Sequence, residues 1–250
     1  MSEAMNAQYD KDEPMTIAII NPNSSHSMTQ QMQASCLSLA LHNETQWYEC
    51  SNSPASIEGH SDGAQAAYHL LAKIRQLENS DAPPKAYVIA CFDDTGLDAA
   101  REITASPVIG IGEAAMHAAS FVSQKFVVMT TLERSVAILE HNLTHYGLVN
   151  RCGGVYASGL PVLSLQSNQQ SYDLVKSAVS KVLQENRADA IVLGCGGMSH
   201  WVERLQQDIG VPVLDGVRIA ISLADSFISL NLSTSKVAGY AWPEAKHQQQ

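Results

Sequence analysis

Residues 191–198 read IVLGCGGM, an apolar β-branched run that ends by delivering a cysteine into a pair of glycines. The opening of that run suits a strand buried on both faces. A cysteine meant only for packing would sit inside it, whereas Cys195 sits at its C-terminal lip. In the stretch VIACFDDTG (88–96), 104 residues earlier, the same order recurs: strand, cysteine, small or polar turn, then helix. SPVIGIGEAAMHAA (106–119) pairs likewise with GVPVLDGVRIAISLA (210–224) at an offset of 105. MTIAIINPNSSHSMT (15–29) pairs with KFVVMTTLERSVAIL (125–139) at 110. Three matches in chain order at nearly one offset mark an internal duplication.

Around these blocks, short apolar runs alternate with longer stretches whose apolar residues fall three and four apart. Strands are expected at 16–20, 86–90, 107–111, 125–130, 190–194 and 211–215. Helices are expected over 63–78 and 171–186. This alternation predicts an α/β fold of two pseudo-symmetric halves with mainly parallel sheets. Ligands of open α/β sheets bind outside the carboxyl ends of the strands, so both cysteines should face one crevice between the halves.

Composition narrows the function classes. The chain has 250 residues, 45% of them hydrophobic, and a formal net charge of −10 without a basic cluster. Such a surface repels a phosphate backbone, so nucleic acid is not an expected partner. No apolar run is long enough to cross a bilayer, and residues 1–14 are polar and acidic, unlike a secretory leader. A cytoplasmic protein with a disordered arm over 1–14 is expected, with exposed apolar helix faces suited to a homo-oligomer. Five cysteines at irregular spacing fit neither a disulfide framework nor a zinc knuckle.

A thiol at a strand end with a helix beginning after it lies near free N–H groups and the positive end of the helix dipole. Both effects predict a lowered thiol pKa at Cys91 and Cys195. Gly196 and Gly197 leave the backbone open to a substrate or anion. Two thiols facing one crevice suit proton removal from one face of a carbon acid and proton return to the other. Backbone N–H groups would stabilise the enolate, with Thr130 and Thr131 as side-chain helpers, and no metal or organic cofactor is needed. Cys36, Cys50 and Cys152 have no such context and read as structural. INPNSSHSMT (20–29) reads equally as a helix cap at Ser24 or Ser25 and as a polar cradle presenting Asn21. His141 and His145 lie four apart but lack a third metal ligand, His117 reads as packing and His60 as a turn residue. GIGEAA (110–115) is a strand-to-helix turn rather than a dinucleotide fingerprint.

Taken together, INPNSSHSMT, SIEGH (56–60), ACFDDTGLDAARE (90–102), SPVIGIGEAAMHAA, MTTLERS (129–135), LGCGGM (193–198), VPVLDGV (211–217) and STSKVAGYAWPE (233–244) form a pattern. It resembles the aspartate/glutamate/hydantoin racemase superfamily, and within it the hydantoin and allantoin racemases, over residues 15–243. The resemblance implies a two-domain enzyme with its site in the interdomain cleft and a C-terminal helix that returns to the first domain. Domain 1 would then comprise 15–115 plus 218–240, and domain 2 would comprise 116–217. It also implies cofactor-independent racemisation of a cyclic ureide by Cys91 and Cys195. Substrate would be surrounded by Asn21, by Phe92 and Asp93 in the turn after Cys91, by Thr130 and Thr131, and by Gly196 and Gly197. Two departures stand out: Thr95 where relatives carry proline, which would loosen the turn, and Ser61 where they carry an aromatic residue, which bears on side-chain specificity. The rival readings are an aspartate/glutamate-type amino-acid racemase, a maleate isomerase or single-cysteine decarboxylase, a thiol redox sensor, and a ligand-binding module without turnover.

Overall fold

The structure, a computed structural model, describes residues 15–162 and 169–244; the expected arm over 1–14 lies outside them. The first half is built from β1 (Thr16–Asn21), α1 (His26–Ser35), β2 (Glu44–Glu49), α2 (His60–Glu78), β3 (Ala86–Ile89), α3 (Leu97–Ile103), β4 (Val108–Gly110) and α4 (Ile111–Val122). The second repeats that order as β5 (Phe126–Thr130), α5 (Glu133–His145), β6 (Cys152–Ala157), α6 (Gln169–Asn186), β7 (Ala190–Leu193), α7 (Val202–Ile209), β8 (Val213–Asp215) and α8 (Gly216–Ser229). Each half holds one four-stranded parallel sheet, in the orders β2-β1-β3-β4 and β6-β5-β7-β8. The duplication read from the sequence is therefore a duplication of topology.

Strand alternation divides the core into three layers. Ile17, Ile19, Ala86 and Val88 on one sheet share a central cluster with Phe126, Val128, Ala190 and Val192 on the other. The alternate residues point outward. Ala18, Ile20, Tyr87 and Ile89 pack under Leu70 and Ile74 of α2, while Val127, Met129, Ile191 and Leu193 pack under Val175 and Val179 of α6. All four inner strands are buried on both faces, which is why their sequences are continuously apolar.

The last helix of each half crosses to the other. α8 buries Val217, Ala220, Ile221 and Ala224 as one stripe and packs on β1, β3 and β4 of the first sheet. α4 packs on α8 and reaches β7 and β8 of the second sheet. At the crossing, a Cβ on Gly216 would meet the backbone of Ile111, so the close approach of the two helix starts requires glycine.

The sequence reading missed β2 and β6. Both are edge strands, ETQWYE and CGGVYA, whose residues are mostly half-buried or exposed, so they lack the apolar run that marks the inner strands. His60, expected in a turn, opens α2. Among the described residues no helix is long and apolar enough to cross a membrane.

Candidate active site

The two cysteine turns share one backbone design. Asp94 N–H donates to Cys91 O at 3.0 Å, and Met198 N–H donates to Cys195 O at 3.0 Å. Each thiol also receives the N–H of the residue two further on, Asp93 for Cys91 and Gly197 for Cys195. Beyond that point the turns diverge. Cys91 is followed by a loop that reaches α3 only at Leu97, with Thr95 Oγ1 3.5 Å from its sulfur. Cys195 leads directly into a 3-10 turn, Gly196–Trp201, ahead of α7.

Both cysteines line one small cavity of about 40 Å3 at the carboxyl ends of the strands. The Cys91 turn contributes Ala90, Phe92 and Asp93 to its wall, and the Cys195 turn contributes Gly194 and Gly196. Thr130 at the end of β5, Thr131 just after it and Ser135 in the first turn of α5 close it; Asn23, Met28, Ile57 and Val162 complete it. All five cysteines are free. A separate cavity of about 400 Å3 opens behind the Cys91 turn, between α3 and α5, and contains neither thiol.

The expected fall in thiol pKa is corrected by the structure. Burial pushes Cys195 up to about 12 and Cys91 higher still. The Asp93 carboxylate adds to both shifts, whereas the Gly197 N–H at Cys195 and the Thr95 hydroxyl and Asp93 N–H at Cys91 pull the other way. Desolvation outweighs these few donors, and no regular α-helix starts at either cysteine. Burial also raises Asp93 itself, to about 6.

The remaining expected site residues divide. Phe92, Asp93, Thr130, Thr131 and Gly196 stand at the cavity with the two cysteines. Asn21 does not: it is fully buried behind the loop, where its Nδ2 donates to Asn23 Oδ1 (2.8 Å) and Thr29 Oγ1 (3.0 Å). Asn23 takes its place in the wall. Ser25 caps α1, accepting from Met28 N–H, so the same loop caps the helix and supplies Asn23 to the cavity wall. Gly197 lies outside the lining and touches the site through its N–H on Cys195. Thr130 spends its hydroxyl proton on Gly194 O at 3.2 Å, tying β5 to the Cys195 turn. Gly196 serves packing as well as access, since a Cβ there would stand 2.6 Å from Met32 Sδ of α1.

Six lining residues lay within quoted motifs without being singled out: Asn23, Met28, Ile57, Ala90, Ser135 and Gly194. Val162 had no sequence signal. Cys36, Cys50 and Cys152 lie outside the cavity, and burial pushes the first two up to about 11. His141 and His145 border the larger cavity, and among the described residues no group of three or more His, Cys, Asp or Glu side chains could hold a metal ion.

Residues 17–224 match the Asp/Glu/Hydantoin racemase family. A hydantoin racemase from Rhizobium meliloti is 44% identical over 234 residues, covering 93% of this chain and 96% of that protein. Among solved structures, an allantoin racemase from Klebsiella pneumoniae is similar with a TM-score of 0.87 at 39% identity, covering 94% of this chain and 96% of that one. An allantoin racemase from Pseudomonas fluorescens gives a TM-score of 0.88 at 32% identity, covering 94% and 100%. With the family matched across both cysteine turns and the fold matched across nearly the whole chain, this protein belongs to the Asp/Glu/hydantoin racemase family.

Proposed function

We propose that the chain is a cofactor-independent racemase of 5-substituted hydantoins, with allantoin, the 5-ureido case, foremost. In one direction the Cys91 thiolate takes the proton from C5, and the electron pair moves into the adjacent ring carbonyl to give an enolate. The Cys195 thiol then protonates C5 from the opposite face, leaving Cys91 as thiol and Cys195 as thiolate. The other enantiomer runs the same steps in reverse. The observation that carries this reading is the pair of equally built turns whose thiols border one cavity.

The charge of the cavity favours a ureide over a free amino acid. Among the described lining residues there is no Lys, Arg or His to anchor an α-carboxylate, while Asp93 supplies an anion. A carboxylate there would repel an amino acid's carboxylate and accept the N–H groups of a ureide. Within the same reading, residues 15–115 with 218–240 form one domain and 116–217 the other, in keeping with α8 packing on the first sheet. Self-association is also part of it, since Leu37, Phe121 and Val237 are large apolar side chains left exposed.

The test is loss of optical rotation by enantiopure allantoin and enantiopure 5-benzylhydantoin, run in parallel with L-aspartate and L-glutamate. Loss with the hydantoins, faster for allantoin, is expected. Racemisation of the free amino acids alone would overturn the reading.

A further inference from the structure

Each half's first helix crosses the boundary and touches the other half's cysteine turn. α1, from the first half, packs on the 3-10 turn after Cys195 and sets Met32 against Gly196. α5, which rests on β5 and β6 of the second half, reaches the turn after Cys91 through hydrogen bonds instead. Asn142 Nδ2 donates to Asp93 O at 3.0 Å, and Tyr146, at the end of α5, donates its hydroxyl to Asp94 Oδ2 at 2.6 Å.

Asp94 is the hub of this contact. Its carboxylate also accepts Gly112 N–H on Oδ1 (3.0 Å) and Glu113 N–H on Oδ2 (2.7 Å), which belong to the first turn of α4. Burial raises the Asp94 carboxyl to about 7, and these three donors pull the other way by favouring its ionised form. The backbone of Asp94 is held at φ 52, a left-handed conformation that residues other than glycine rarely adopt. Space for the carboxylate comes from the glycines of GIGEAA, since a Cβ on Gly112 would stand 2.7 Å from Asp94 Oδ2. The equivalent tie in the second half is reversed: Asp215, at the end of β8, accepts Ser199 Oγ from the cysteine turn (2.9 Å) and Val217 N–H from α8 (2.9 Å).

We propose that Asp94 and Tyr146 are positioning residues for Cys91: together they brace its turn between α4 and α5 and fix where its sulfur stands in the cavity. Neither lines the space between the thiols; Tyr146 reaches Cys91 through the turn, whereas the Asp94 carboxylate also raises the Cys91 thiol by its charge. This inference rests on the two-thiol reading and predicts an effect confined to one thiol. Tyr146→Phe removes a single hydroxyl and Asp94→Asn weakens the hub.

The experiment places each change in the Cys195→Ser and Cys91→Ser proteins and follows solvent deuterium exchange at C5 of enantiopure allantoin. With Cys91 as the remaining thiol, Tyr146→Phe should slow exchange about tenfold or more, as misplacement of a reacting group does. With Cys195 as the remaining thiol, exchange should stay within about twofold. A second measurement needs no turnover: iodoacetamide alkylation of the Tyr146→Phe protein with both cysteines present, a change that removes no charge, resolved by mass spectrometry. A loosened turn should raise the Cys91 rate about threefold or more and leave Cys195 unchanged. Equal change at both thiols, or no change at Cys91, would overturn the inference. If no parent protein racemises or exchanges a hydantoin, the functional reading fails, and the alkylation ratio still decides the brace.

Discussion

At the scale of single residues, the site is governed by burial. Burial favours the protonated form of both thiols, so the one-thiolate state that the proposed mechanism uses is a minor one, and each neighbouring charge alters its population. Asp93 is the neighbour common to both cysteines. Above about pH 6 its carboxylate is ionised and disfavours thiolate; below that it is neutral and has little effect. Asp93→Asn should therefore shift the pH profile of iodoacetamide alkylation at Cys195 to lower pH, with the difference opening above about pH 6. Coincident profiles would show that Asp93 does not act on the thiols. The cysteines were legible in the sequence because duplication singled them out from five. Asn23 was not, because Asn21 and Asn23 flank the same proline and only the folded loop decides which turns inward. Nor could spacing reveal that desolvation would outweigh the local N–H groups, since burial is a property of the assembled halves.

Elements carry the next level of control. The inner strands were readable because burial on both faces demands apolar residues throughout, whereas edge strands β2 and β6 meet solvent and leave no such mark. Cross-packing was less visible still. Nothing in the α1 sequence states that Met32 will lie against Gly196 of the other half, yet this contact fixes how closely α1 approaches the Cys195 turn. Gly196→Ala should destabilise the protein by about 1–3 kcal/mol through overpacking. Because the clashing atom is the far end of a flexible side chain, Met32→Ala in the same protein should offset part of that loss. Urea denaturation of the four-member cycle should give a coupling of about 1 kcal/mol or more. Additive costs would mean that the sulfur and the glycine turn do not meet in solution.

For the molecule as a whole, the two halves are interlocked rather than merely adjacent. α4 and α8 exchange sides, α1 and α5 brace opposite turns, and one hydrophobic cluster spans both sheets. The cavity left between the thiols, about 40 Å3, holds little more than a few waters. On the proposed function, a substituted hydantoin would need lining side chains to move or the halves to part, and closure around it would dehydrate the reacting carbon. On the proposed mechanism the duplicated fold and the duplicated thiol are one feature, each half supplying one proton carrier. The most direct test is C5 solvent deuterium exchange of each allantoin enantiomer, followed by NMR with the Cys91→Ser and Cys195→Ser proteins. Racemisation should be abolished in both, with slow exchange of one enantiomer by one variant and of the opposite enantiomer by the other. Racemisation at the parent rate by either variant would contradict the two-thiol account.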